Sequence, residues 1–202
     1  MNEDTVQVSI NELRDKARAC RACLLFAHAT QTVFGTGDPQ AKVMLVGEQP
    51  GDEEDLQGLP FVGPAGRLLD RALAAAGIDR KALYVTNAVK HFKWEPRGRR
   101  RLHKTPVQRE IDACYQWLER EIEAVRPQVI VCLGATTARA LLGAAFRVSV
   151  MRGRFIESPH APFVFATLHP SALLRLRDGT EREDAFARFV EDLALVHQAL
   201  AK

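Results

Sequence analysis

No stretch of eighteen uninterrupted apolar residues occurs anywhere in the 202-residue chain, which removes a membrane-spanning helix from the readings. The first residues, Met1-Asn2-Glu3-Asp4, are acidic and carry no apolar export core, so a soluble, cytoplasmic protein is expected. Internal repeats and low-complexity tracts are missing too, which excludes solenoids and arrays. Cysteine is scarce, with Cys20, Cys23, Cys114 and Cys132 as the full set. Without an export signal these four argue against a disulfide framework. The net charge of +3 is too small for overall basicity to identify a partner.

What is present supports one core. At 47% hydrophobic the chain can bury a sizeable interior, and one domain over residues 1–202 is expected. The run Val43-Met44-Leu45-Val46 lacks polar alternation, as a strand buried on both faces does. Gly47-Glu48-Gln49-Pro50-Gly51-Asp52-Glu53-Glu54-Asp55 follows it, and places an acidic loop at a strand's carboxyl end, where ligands bind in open α/β sheets. The competing reading of these acids is a cap for the next helix. Further strands are predicted at 83–86, 129–133 and 163–167, with edge-strand or irregular chain at 147–157. Helices are predicted from the Ser9-Ile10-Asn11-Glu12 capping box, after residue 66 to Gly77, over 105–125 with Pro106 at N1, over 136–142, and from Thr180-Glu181-Arg182-Glu183 to Ala201. Alternating strands and helices predict a three-layer α/β/α sandwich around a mainly parallel, four-stranded sheet. One rim of that sheet then carries Glu48 and Asp52, Asn87, and His169.

Two local patterns suggest partners. Between Lys90 and Lys104 stand Lys90, Lys93, Arg97, Arg99, Arg100, Arg101 and Lys104 against Glu95 alone. That density suits a polyanion, although a solvated loop would also account for it. Cys20-Arg21-Ala22-Cys23 has the spacing that brings two thiolates to one metal centre. With Cys114 and Cys132 the donor set suits tetrahedral zinc or an iron-sulfur cluster equally. Cys132, inside an apolar run, also reads as a small buried hydrophobe.

The acidic motif at 47–55, the run Thr86-Asn87-Ala88-Val89-Lys90-His91-Phe92 and His169-Pro170-Ser171 resemble, in order and spacing, the motifs of the uracil-DNA glycosylase superfamily. With the four cysteines, the chain resembles its iron-sulfur family 4 branch. Gln49 after Glu48, and Arg99-Arg100-Arg101-Leu102-His103-Lys104-Thr105-Pro106, further resemble the UdgX group, bacterial members that trap their own DNA product covalently. The resemblance runs from about Cys20 to the C-terminal helix. Arg99 and Leu102 depart from the group's usual Lys-Arg-Arg-Ile-His while keeping charge and apolarity, and the preceding Trp94-Glu95-Pro96-Arg97-Gly98 differs.

The resemblance implies a set of roles. Phe61 would stack on the flipped base, and Asn87 would read uracil O4 and N3-H. His169 would stabilise the departing anion through O2. Gly51 and Ser171 would contact substrate, Ser171 by holding a phosphate, and Arg101 would hold the loop. Glu48, Gln49 and Asp52 would surround the nucleophile, with His103 capturing C1′. Cys20, Cys23, Cys114 and Cys132 would ligate a 4Fe-4S cluster. The implied partner is uracil-containing DNA, preferentially single-stranded, with uracil as product, no membrane, and a monomeric protein. The alternatives are an ordinary turnover family 4 glycosylase and a non-catalytic iron-sulfur module that binds nucleic acid.

Overall fold

The computed structural model describes residues 9–200, so the acidic start at 1–4 and the expected helix end at Ala201 lie outside them. Helix α1 (Ile10–Arg18) begins on the predicted capping box, with Ser9 Oγ accepting from the Glu12 N–H and the Glu12 carboxylate accepting from the Ser9 N–H. It buries Ile10, Leu13 and Ala17.

The strands in chain order are β1 (Thr36–Gly37), β2 (Val43–Gly47), β3 (Leu83–Asn87), β4 (Trp94–Arg97), β5 (Arg100–His103), β6 (Val129–Leu133), β7 (Phe155–Ser158) and β8 (Ala161–Thr167). The four predicted strands pair in parallel as β3-β2-β6-β8, and short antiparallel strands β1 and β7 close the two edges. Strands β4 and β5 form a separate two-stranded ribbon. Period-two alternation explains how fully buried strands serve both layers. Met44, Val46, Ile130, Cys132, Val164 and Ala166 face one core cluster, whereas Val43, Leu45, Val129, Val131, Leu133 and Phe165 face the other.

The remaining helices are α2 (Asp52–Gln57), α3 (Pro64–Ala75), α4 (Gln108–Val125), α5 (Ala135–Leu142), α6 (Val148–Met151), α7 (Pro170–Leu174) and α8 (Gly179–Leu200). Helices α1, α4 and α5 cover the first cluster, and α3 and α8 cover the second. Three local expectations are corrected. The acidic segment is not all loop, because Asp52 to Asp55 form the first turn of α2, where carboxylates complement the helix dipole. Helix α4 begins at Gln108 rather than at Thr105-Pro106, since the Glu110 carboxylate caps the Val107 N–H at 2.8 Å. Helix α8 is capped by Asp178, whose Oδ1 accepts from the Glu181 N–H at 2.8 Å, and not by a box on Thr180. Among the described residues no helix is long and apolar enough to cross a membrane.

From β2 the chain crosses to β3 on one side and returns past it to β6 on the other. Such a reversal leaves a crevice outside the carboxyl ends of β2 and β6.

Candidate functional site

The crevice is lined by what each parallel strand delivers at its end. Glu48 follows β2, Asn87 closes β3, Thr136 sits in the first turn of α5 just past β6, and His169 lies two residues past β8. Gly47 and Asn87 are register partners. A Cβ on Gly47 would collide with Asn87 Oδ1 and with the Phe61 ring, so glycine lets these two side chains converge. Phe61, buried, takes a left-handed φ of 56°, a conformation costly for an aromatic residue. A Cβ at Gly66 would strike its carbonyl. The ring is thereby held 6.1 Å from that of His169. Phe61, Asn87, Gly51, Asp52, His103 and His169 line one cavity of about 450 Å³.

His169 is the N-cap of α7, and its Nδ1 accepts from the Ser171 backbone N–H at 3.1 Å. Ser171 Oγ lies 2.8 Å from the same nitrogen. An accepting Nδ1 assigns the proton to Nε2. Burial pushes the His169 pKa down to about 4, with His103 and Arg175 adding repulsion. Near pH 7 the ring is therefore neutral, with an N–H to donate. Ser171, expected to meet a phosphate, also holds the His169 ring through these two contacts.

The basic run is a β-hairpin rather than a loop, turning at Gly98, whose φ is +59°. His103 ends β5 opposite Trp94, with its side chain 47% exposed at the cavity mouth. Gln49 and Arg101 hold the ribbon in place. Gln49 donates through Nε2 to the carbonyls of Lys93 and Lys104 and accepts from the Lys93 N–H through Oε1. Arg101 reaches Asp52 Oδ1 at 2.5 Å and buried Asp55 at 2.6 Å. The Arg101 guanidinium also lies 5.4 Å from the Phe92 ring centroid and 5.6 Å from that of Trp94. His103 Nε2 stands 3.6 Å from Glu48 Oε1, while the other oxygen of Glu48 accepts from the Thr136 hydroxyl. Partial burial lowers the His103 pKa, Glu48 drawing it back up and Arg175 pushing it down. A second cavity of about 350 Å³ lies beyond Glu48 towards α5 and shares His103, His169 and Arg175 with the first.

Sequence reading missed Thr136, quoted Gly47 and Asp55 in the motif without giving either a role, and misplaced Lys90. The only cue for Thr136 was its position just past a strand end on the rim already singled out. Lys90 is fully buried against Glu121, Lys93 pairs with Glu110 and Lys104 with Glu95, and Arg101 faces inward. The exposed cations of the hairpin are Arg97, Arg99 and Arg100 at its tip, with Lys104 at its base, so the polyanion face is narrower than the run suggests.

Among the described residues no three or more His, Cys, Asp or Glu side chains converge as metal ligands. The four thiols nevertheless lie in or against one core cluster, delivered by the end of α1, by α4 and by the inward face of β6. The Trp117 indole N–H donates to Cys20 Sγ and the Lys90 backbone N–H to Cys114 Sγ, each at 3.1 Å. Burial pushes the Cys114 thiol up to about 11, with Lys90 lowering it and Cys23 and Cys20 raising it. Burial raises Cys132 further. Sulfurs so placed become thiolates when a cation joins them, and N–H donors aimed at sulfur are the usual outer contacts of thiolate-bound iron.

Comparison with known proteins agrees with this geometry. Residues 34–194 match the Uracil DNA glycosylase superfamily. The chain is 36% identical over 173 residues to a type-4 uracil-DNA glycosylase of Archaeoglobus fulgidus, covering 82% of this chain and 83% of the relative. A type-4 uracil-DNA glycosylase of Thermotoga maritima is 38% identical over 169 residues, covering 83% and 84%. A type-5 uracil-DNA glycosylase of Pyrobaculum aerophilum is 32% identical over 154 residues, covering 68% and 64%.

Proposed function

The chain belongs to the uracil-DNA glycosylase superfamily, and on that footing we propose that it excises uracil from DNA and is left covalently joined through His103 to C1′ of the abasic sugar. The observation that carries the second step is the placement of His103. Its imidazole stands at the mouth of the base cavity, 3.6 Å from a carboxylate, on a hairpin that Gln49 and Arg101 fix.

A base in a duplex cannot present its glycosidic bond to protein groups, so the nucleotide enters extruded or from a single strand. The ring stacks on Phe61, and the Asn87 carboxamide pairs with O4 and N3-H. Cytosine presents the opposite pattern there and leaves buried polar groups unpaired. The bond from C1′ to N1 breaks with its electron pair going to the base. His169 donates its Nε2–H towards O2 of the resulting anion. One imidazole nitrogen of His103 then gives its lone pair to the cationic C1′, and the proton on the other nitrogen passes to Glu48. The product is a neutral N-substituted imidazole, a poor leaving group, so the adduct persists. Thr136 holds the far oxygen of Glu48. Asp52, Asp55 and Gln49 position the hairpin. Gly51 sits at the cavity edge with its N–H given to Glu54, and Arg99 and Arg100 meet phosphates.

Cys20, Cys23, Cys114 and Cys132 would hold a 4Fe-4S cluster. When bound it supplies a cross-link between the chain after α1, α4 and β6.

Denaturing electrophoresis after mixing with uracil-containing single-stranded DNA tests the proposal. The expected result is a slow-migrating protein-DNA band for the natural chain, and released uracil without that band for His103→Ser. A free abasic strand from the natural chain would make it a turnover enzyme. An unaltered strand would leave only a binding module.

A further inference from the structure

Beneath the base cavity lies a buried charge pair that the proposed chemistry does not use. Lys90 and Glu121 are each 0% exposed and form an ion pair. Isolated charges are not tolerated at such depth, and a pair survives only when every remaining donor and acceptor is matched. The matching here is extensive. Glu121 accepts from the Tyr84 hydroxyl at 2.9 Å, the Thr86 hydroxyl at 3.0 Å and the Gly35 N–H at 2.9 Å. Lys90 Nζ donates to Thr86 Oγ1 at 2.8 Å and to the backbone carbonyl of Asn87 at 2.6 Å.

The last contact gives the pair its function. Asn87 leaves the sheet at the final residue of β3, where ladder pairing stops fixing its peptide. Ala88 N–H donates to the Gly47 carbonyl at 2.8 Å and Val89 N–H to that of Glu48 at 3.0 Å, while Lys90 N–H reaches Cys114 Sγ. The turn from Asn87 to Lys90 is thus stitched to β2 and α4 through its amides, and the Asn87 carbonyl is held by the ammonium. Orientation of a hydrogen-bonding side chain is worth little unless its backbone is held. Resting on the proposed role of Asn87 as base reader, we infer that the Lys90–Glu121 pair is a positioning device that aims the Asn87 carboxamide into the base cavity.

The test is a mutant cycle read in single-turnover uracil release with protein in excess over uracil-containing single-stranded DNA. Lys90→Met with Glu121→Gln removes both charges together, so that neither is left unpaired. The double variant should release uracil more slowly, on the order of 10- to 100-fold, with the half-saturating protein concentration changed less than about twofold. On an Asn87→Ala background, whose slow residual release at long times is the reference, the same two changes should cost nothing further. Thr86→Val, which keeps both charges but removes the hydroxyl between them, should give a smaller loss that also vanishes on that background. It decides the matter if the double variant does not fold. Unchanged release in a folded variant, or a loss that adds in full to that of Asn87→Ala, overturns the inference. Absence of release by the natural chain would instead refute the proposed function.

Discussion

Gln49 donates through Nε2 to the Lys104 carbonyl at 3.0 Å, one residue past His103, while its Oε1 accepts from the Lys93 N–H at 3.1 Å. One carboxamide thereby closes both ends of the hairpin onto the segment after β2 that carries Glu48. Gln49→Ala should slow formation of the DNA-linked product on the order of 10²-fold, the cost of misplacing a reacting group by about 1 Å. Uracil release, proposed to depend on Phe61, Asn87 and His169, should fall far less. Rapid-quench measurement of both products checks this, and equal losses in the two would contradict it.

Glu48 has one oxygen towards His103 and the other under the Thr136 hydroxyl. Glu48→Gln should slow adduct formation because the imidazolium formed on attack has no base to relieve it. Thr136→Val should slow it less, and Thr136→Ser should restore it. Time courses of the linked band rank the three variants, and an undiminished rate in Glu48→Gln would contradict the carboxylate's role.

The depressed His169 pKa ties stability to pH. In the unfolded chain the ring takes up a proton near its ordinary value of 6.5, whereas the folded chain resists protonation to about 4. The unfolded state binds the extra proton between these values, so stability falls as pH drops from 6.5 towards 4 and levels off below. The full effect is up to roughly 3 kcal/mol. Urea midpoints at about pH 7.5 and about pH 4.5 should therefore differ more for the natural chain than for His169→Asn. Equal differences would show that this ring is not the titrating group.

Legibility in the sequence followed locality. The run 43–46 and the polar residues Glu48 and Asn87 at strand ends were readable because burial on both faces leaves an uninterrupted apolar signature. The hairpin was not readable, because its exposed, arginine-rich strands show no alternation and Gly98 was its one turn signal. Lys90 was placed on the surface because charge usually lies there, and the partner that lets it be buried, Glu121, is 31 residues away. Thr136 was legible as the start of a helix but not as the support of Glu48, a contact spanning 88 residues. Edge strand β1 is too short to carry a period, while the segment 147–157, expected as edge strand or irregular chain, holds the short helix α6 before most of β7.

The four sulfurs share a core cluster across three elements. Freshly purified protein should be brown, absorb broadly near roughly 400 nm and carry about four irons per chain. Cys114→Ser and Cys132→Ser should lower iron content and thermal midpoint together. A colourless protein with a single zinc would contradict the cluster.

The imidazole of His103 is the group proposed to bond to C1′. Digesting the protein-DNA adduct with nuclease and protease and mapping the product by mass spectrometry tests it most directly. The deoxyribose remnant should lie on His103, in the peptide containing Leu102-His103-Lys104. A remnant on Glu48, on Lys104 or on any cysteine would contradict it.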